Sequence, residues 1–174
     1  MDFGILYAIQ AMRSPALDQI MLVITKLMGS IGQIWLLVAI GLIIFKKTRK
    51  VGICVLISYI LVLLVGHVCL KDLIARSRPC HIDETIKLLV ERPTSYSCPS
   101  THTAWAFAAA TSIYLYFKRA GIVTFVIAAI MGFSRMYMFV HFPTDVVFGI
   151  ILGVVLGIVS KIILDKIYSS RIPE

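Results

Sequence analysis

Long apolar runs recur along almost the whole chain, broken by short basic clusters and by stretches rich in proline and serine. A helix needs about 20 mostly apolar residues to cross the hydrocarbon core of a bilayer. Runs of that kind predict membrane segments at roughly 15–29, 31–45, 51–70, 100–117, 121–140 and 143–164, the first two being the weakest. Ser14 followed by Pro15 marks a helix start, because proline suits the first helical turn, and Asp18 then falls near the positive end of the helix dipole. The preceding stretch, 3–12, reads as an amphipathic helix lying at the interface. The expected fold class is all-α: one domain over 1–174, a polytopic membrane bundle of about six transmembrane helices with an N-terminal interfacial helix.

Composition agrees with the pattern. Of 174 residues 59% are apolar, and the mean hydropathy is +0.93, more than a soluble domain of this size could bury. The first apolar stretch is interrupted by Arg13, Ser14, Pro15 and Asp18 and has no small-residue cleavage pattern, so it is not expected to be removed. The net charge of +8 resides in short clusters between apolar runs, not on one polar face, which argues for topology determinants and against a nucleic-acid partner. Lys46, Lys47, Arg49 and Lys50 form one such turn, and Lys118 with Arg119 another; both are expected to be cytoplasmic. Counting six crossings from them puts the N-terminus and the basic 161–171 tail inside, and the 71–99 loop and the 140–143 turn outside.

The outer 71–99 loop is nonetheless rich in cations. Lys87 and Arg92 read as solvated charges balanced by nearby carboxylates. Lys71 and Arg78 differ: seven residues apart, they would share one face of a continuing helix, whereas Arg76 would point away. Pro79 biases Arg78 out of the helical region, so the pair can also leave the helix end as a fork. A guanidinium there suits phosphate oxygens. Cys98-Pro99-Ser100-Thr101-His102 directly precedes an apolar run, which places the free N–H groups at a helix start where an anion binds and puts His102 one turn in. Ser134-Arg135, His141 and Pro143-Thr144-Asp145 span the next outer turn. Arg135 lies within an apolar run, where a charge marks a functional site by default. Asp145 is placed to orient the His141 imidazole. The three clusters converge on one membrane face, and such a set suits an oxyanion whose charge changes during reaction.

Lys71-x6-Arg78-Pro79, Pro99-Ser100-Thr101-His102 and Ser134-Arg135-x5-His141-x3-Asp145 resemble, in order and spacing, the three signature motifs of the type-2 phosphatidic acid phosphatase family. That family includes bacterial undecaprenyl diphosphate and phosphatidylglycerol phosphate phosphatases. The resemblance implies a metal-independent lipid phosphatase without cofactor, in the bacterial cytoplasmic membrane, acting on a lipid phosphate. Lys71, Arg78 and Arg135 would bind the phosphoryl oxygens, with Ser100 and the Thr101 N–H completing the cradle. His141 would be the nucleophile, oriented by Asp145, and His102 would protonate the departing oxygen. Thr101 departs from the family, which usually has glycine there. Undecaprenyl diphosphate is the first choice of substrate by analogy; phosphatidylglycerol phosphate, phosphatidate and lipid A remain open. The competing classes are a small transporter and an impaired binding relative.

Other features carry plainer expectations. His67 reads as hydrogen-bonded between helices, and Gly149, Gly153 and Gly157 as a smooth strip for close packing. Cys54 and Cys69 read as buried small residues. A disulfide between Cys80 and Cys98 would close the outer loop, and sequence alone supplies no geometry to decide it.

Overall fold

The computed structural model describes residues 1–27 and 32–170. The expected segment ends at 29 and 31, and Arg171, lie outside the described residues. Helices appear at each predicted segment: α1 (Asp2–Ala11), α2 (Pro15–Leu27), α3 (Gln33–Ile44), α4 (Arg49–Leu61), the short α5 (Lys71–Ile74) and α6 (Pro79–Ile82), α7 (Thr101–Tyr114), α8 (Lys118–Tyr137) and α9 (Pro143–Ser169). Between α4 and α5 the backbone runs through π-helical turns over Val62–Leu70. Among the described residues three stretches are long and apolar enough to cross a membrane: Arg49–Ile82, Lys118–Tyr137 and Pro143–Ser169.

α7 is the centre of the bundle, and its composition explains why. Ala104, Ala106, Ala108, Ala109 and Ala110 present little volume, so α4, α8 and α9 approach it closely and almost the whole helix is buried. The glycine strip of α9 faces it: a Cβ on Gly153 would stand 2.5 Å from the Ala104 carbonyl, and one on Gly149 2.6 Å from that of Ser100. Close packing within the bundle is therefore the role of that strip, as expected. Trp105, projecting from α7, stacks on Tyr59 at 5.5 Å and donates its Nε1–H to the Tyr59 carbonyl at 3.1 Å, which fixes α7 against α4.

The N-terminal region departs from expectation. α1 does not lie at the end of the bundle that carries the 46–50 and 118–119 turns. Gln10 donates to the Tyr137 carbonyl at 3.0 Å, Tyr7 to Asp83 at 2.8 Å and Arg13 to the Lys87 carbonyl at 2.9 Å, so α1 sits against the 83–96 loop and the α8–α9 turn. α2 starts at this same end, where Asp18 pairs with Arg13 at 3.1 Å and accepts the Tyr137 hydroxyl at 2.6 Å. It then descends antiparallel to α8, with Thr25 bonded to Ser134 at 3.3 Å and Ile24 and Leu27 opposite Ile127 and Ile130. α3 begins beside Trp105, against which Gly32 is packed, and finishes at the opposite end in the 45–48 turn. With 13 and 12 residues, α2 and α3 extend only about 20 Å and 18 Å at the helical rise, each short of the roughly 30 Å of a hydrocarbon core.

Candidate active site

The helix expected to carry both Lys71 and Arg78 stops between them. Ala75 adopts a left-handed conformation with φ 48°, α5 ends, and the chain stays out of a helix until Arg78, which is extended before Pro79. The fork geometry, not the shared helix face, is what brings the two cations together. Lys71 Nζ donates to Ser95 Oγ at 3.2 Å and to the Tyr96 carbonyl at 3.0 Å, and Arg78 Nη2 donates to the same two atoms at 3.0 and 3.1 Å. Both side chains are buried, at 4% and 3% exposure, which anchors them deep in the bundle end.

His141 reaches this pair through a turn built for the purpose. α8 ends in a Schellman motif, with the Val140 N–H donating to the Arg135 carbonyl at 3.3 Å and Phe139 left-handed at φ 58°. Phe139 is fully buried under Phe3 and Tyr7 of α1, which holds a conformation that is uncommon for a non-glycine residue. The turn places His141 Nε2 3.2 Å from Arg78 Nη1, which also donates to the Val140 carbonyl at 2.8 Å. A guanidinium can only donate, so Nε2 is the accepting nitrogen and the ring proton belongs on Nδ1. Burial, then the Arg78, Arg135 and Lys71 cations, hold the imidazole below its ordinary pKa, with Asp145 opposing them. Burial and the Arg78 contact both favour the neutral imidazole.

Lys71, Arg78, Thr101, His102, Arg135 and His141 line one cavity of about 730 Å³. Arg135 is buried, and its Nε makes no hydrogen bond to the described residues. His102 rests edge-on against Trp105 at 5.9 Å. His67, expected to bond between helices, also lines the cavity, and its buried Nδ1 makes no hydrogen bond to the described residues. The Thr101 methyl points towards Gly66, 3.5 Å from where a Cβ there would stand, so the π-helical segment leaves room for this threonine. Ser100 stands one layer back: its hydroxyl is shared with Thr103 at 2.9 Å, and its N–H donates to the Asp145 carbonyl at 3.1 Å.

Asp145 is not hydrogen-bonded to His141. Its Oδ2 lies 3.8 Å from His141 Nδ1, and the carboxylate instead accepts from Ser97 Oγ at 2.5 Å, the Phe142 N–H at 2.8 Å and Arg76 Nη1 at 2.6 Å. The bond to Phe142 is a helix N-terminal cap, so Asp145 also has a purely structural role. Sequence reasoning set Arg76 aside and missed Ser95, Ser97 and Asp2. Arg76 carried a weak signal in its closeness to Arg78; the others lie in loops or in a distant helix and carried none. Cys80 and Cys98 are buried and unbridged, and burial pushes the Cys98 thiol up to about 11, which keeps it protonated at neutral pH.

Residues 51–168 match the PAP2 superfamily. The chain belongs to that superfamily. It is 36% identical over 117 residues to an undecaprenyl-diphosphatase of Sulfolobus acidocaldarius, an alignment covering 67% of this chain and 56% of that protein, so the match spans little more than half of the relative's length. It is 33% identical over 162 residues to phosphatidylglycerophosphatase B of Bacillus subtilis, covering 85% of this chain and 75% of the relative. A solved structure described as the first transmembrane PAP2 type phosphatidylglycerolphosphate phosphatase from Bacillus subtilis superposes with a TM-score of 0.76 at 31% identity, covering 95% of this chain and 85% of that one. All three PAP2 motifs of this chain come together at a single end of the bundle.

Proposed function

We propose that this PAP2 protein is a metal-independent phosphatase of the membrane that hydrolyses a lipid-linked phosphate through a phosphohistidine, with undecaprenyl diphosphate as first choice of substrate. The observation that carries the reading is the buried His141, whose Nε2 meets Arg78 Nη1 at 3.2 Å in a cavity that Lys71 and Arg135 also line. Lys71, Arg78 and Arg135 take the phosphoryl oxygens, and the positive end of the α7 dipole adds to the same field. Nε2 attacks phosphorus, the bond to the lipid-side oxygen breaks, and His102 gives that oxygen its proton. Water then attacks the phosphohistidine, returns a proton to His102 and releases phosphate. Charge accumulating on the transferred group is met by fixed cations.

The substrate assignment rests on the Sulfolobus undecaprenyl-diphosphatase. Phosphatidylglycerol phosphate is the second reading, favoured by the longer alignment with the Bacillus enzyme. Phosphate release from both lipids, phosphatidate and lipid A by purified protein, with EDTA present, separates them. Turnover that requires an added divalent metal contradicts the mechanism, and vanadate, a mimic of five-coordinate phosphorus, is expected to inhibit.

The site faces outside in this reading. The basic 46–50 and 118–119 turns lie at the end of the bundle opposite His141 and are assigned to the cytoplasm. α2 and α3 then share one crossing, each covering part of the bilayer, and the N-terminus lies outside with the site. Five crossings replace the six expected from hydropathy.

A further inference from the structure

We propose that Arg76 is a positioning residue of the phosphatase site, which neutralises and aims Asp145 and ties it to the N-terminal helix. The inference rests on the phosphohistidine reading above. One face of the guanidinium stacks on the Phe142 ring at 4.1 Å, which fixes its plane. From that plane Nη1 donates to Asp145 Oδ1 at 2.6 Å and to Thr144 Oγ1 at 2.7 Å, while Nη2 donates to Asp2 Oδ2 at 2.8 Å. Thr144 closes the ring by donating to the same Asp2 oxygen at 2.7 Å. The Arg76 carbonyl accepts the Ser97 N–H at 2.8 Å, and Ser97 in turn donates its hydroxyl to Asp145 Oδ2.

Asp145 is fully buried, and Arg76 is the cation that pairs with it. Its second oxygen, held by Ser97 and the Phe142 N–H, is the one facing His141 Nδ1. Arg76 therefore decides how much bare negative charge His141 experiences. Without that cation the carboxylate would favour the imidazolium and withdraw the accepting nitrogen from use. Asp2 adds the first turn of α1 to the same cluster, so the contact that docks the N-terminal helix is also one that aligns the nucleophile. Arg78, Lys71 from α5 and Arg135 from α8 are the cations that act on His141, and Lys26, His67, Glu91 and His102 share its cavity.

The test compares Arg76→Gln, Arg76→Lys and His141→Ala with wild type on a polyprenyl diphosphate, using the monodisperse fraction from size exclusion so that yield does not enter. A misplacement of about 1 Å can cost about 10²-fold, so Arg76→Gln is expected to lose roughly 10- to 100-fold in kcat with little change in KM. Its acid limb in kcat/KM is expected to move to higher pH, because uncovering Asp145 makes His141 easier to protonate. Arg76→Lys, which keeps the charge, is expected to recover much of the rate and return the limb towards wild type. Wild-type kcat in Arg76→Gln overturns the inference; so does an equal loss in both variants with an unmoved limb, the mark of a merely structural residue. His141→Ala reports separately: if it turns over normally, the phosphohistidine reading fails whatever Arg76 does.

Discussion

The bond from Arg78 Nη1 to His141 Nε2 selects the tautomer in which the nitrogen facing the cavity carries a lone pair. Because burial and the surrounding cations hold that imidazole below its ordinary value, it stays neutral as the pH falls past the point where a free histidine, near 6.5, takes up a proton. The acid limb of kcat/KM is therefore expected below about pH 6.5, and a limb above it would remove the argument from burial. His102→Ala is expected to lose far less rate on a phosphate ester with an activated leaving group than on a lipid phosphate whose leaving group is an alcohol, measured as phosphate release from each. Equal losses count against its acid role. Lys71, Arg78, Arg135 and His141 were legible in sequence because a charge next to or within an apolar run is costly and so conspicuous. The partners of Asp145 were not, because Arg76 and Ser97 reach it across breaks in helical periodicity, where spacing carries no information.

At the scale of elements, the glycine strip of α9 and the α8–α9 turn set the distance between the start of α7 and His141. Gly153→Leu would force a side chain where a Cβ already meets the Ala104 carbonyl at 2.5 Å. It is expected to destabilise the bundle by at least about 1–3 kcal/mol, read as a fall in the detergent-solubilised melting temperature. The same temperature as wild type would show that α7 and α9 are not packed as described. Hydropathy located the helices well, yet it treated α2 and α3 as two crossings. Apolar content reports burial in lipid or protein alike, and the proposal that the two helices share one crossing comes from the contacts of Asp18 with Tyr137 and of Gly32 with Trp105, which hydropathy does not register.

For the whole molecule, the docking of α1 against the loop that carries Lys87 ties the sidedness of the N-terminus to that of the site. Single cysteines at Gly4, Lys87 and Lys47, in a background lacking Cys54, Cys69, Cys80 and Cys98, test this in intact cells with an impermeant thiol reagent. Gly4→Cys and Lys87→Cys are expected to label together and Lys47→Cys to be protected; label at Lys47 alone would invert the topology while leaving the chemistry untouched. The central claim, covalent transfer to His141, is tested most directly by trapping. Purified protein is mixed with a lipid diphosphate labelled in its terminal phosphate, quenched in alkali and mapped by proteolysis. The expected result is an acid-labile, alkali-stable phosphate on the peptide carrying His141, absent from His141→Ala, which also releases no phosphate; turnover by that variant at the wild-type rate would contradict the account.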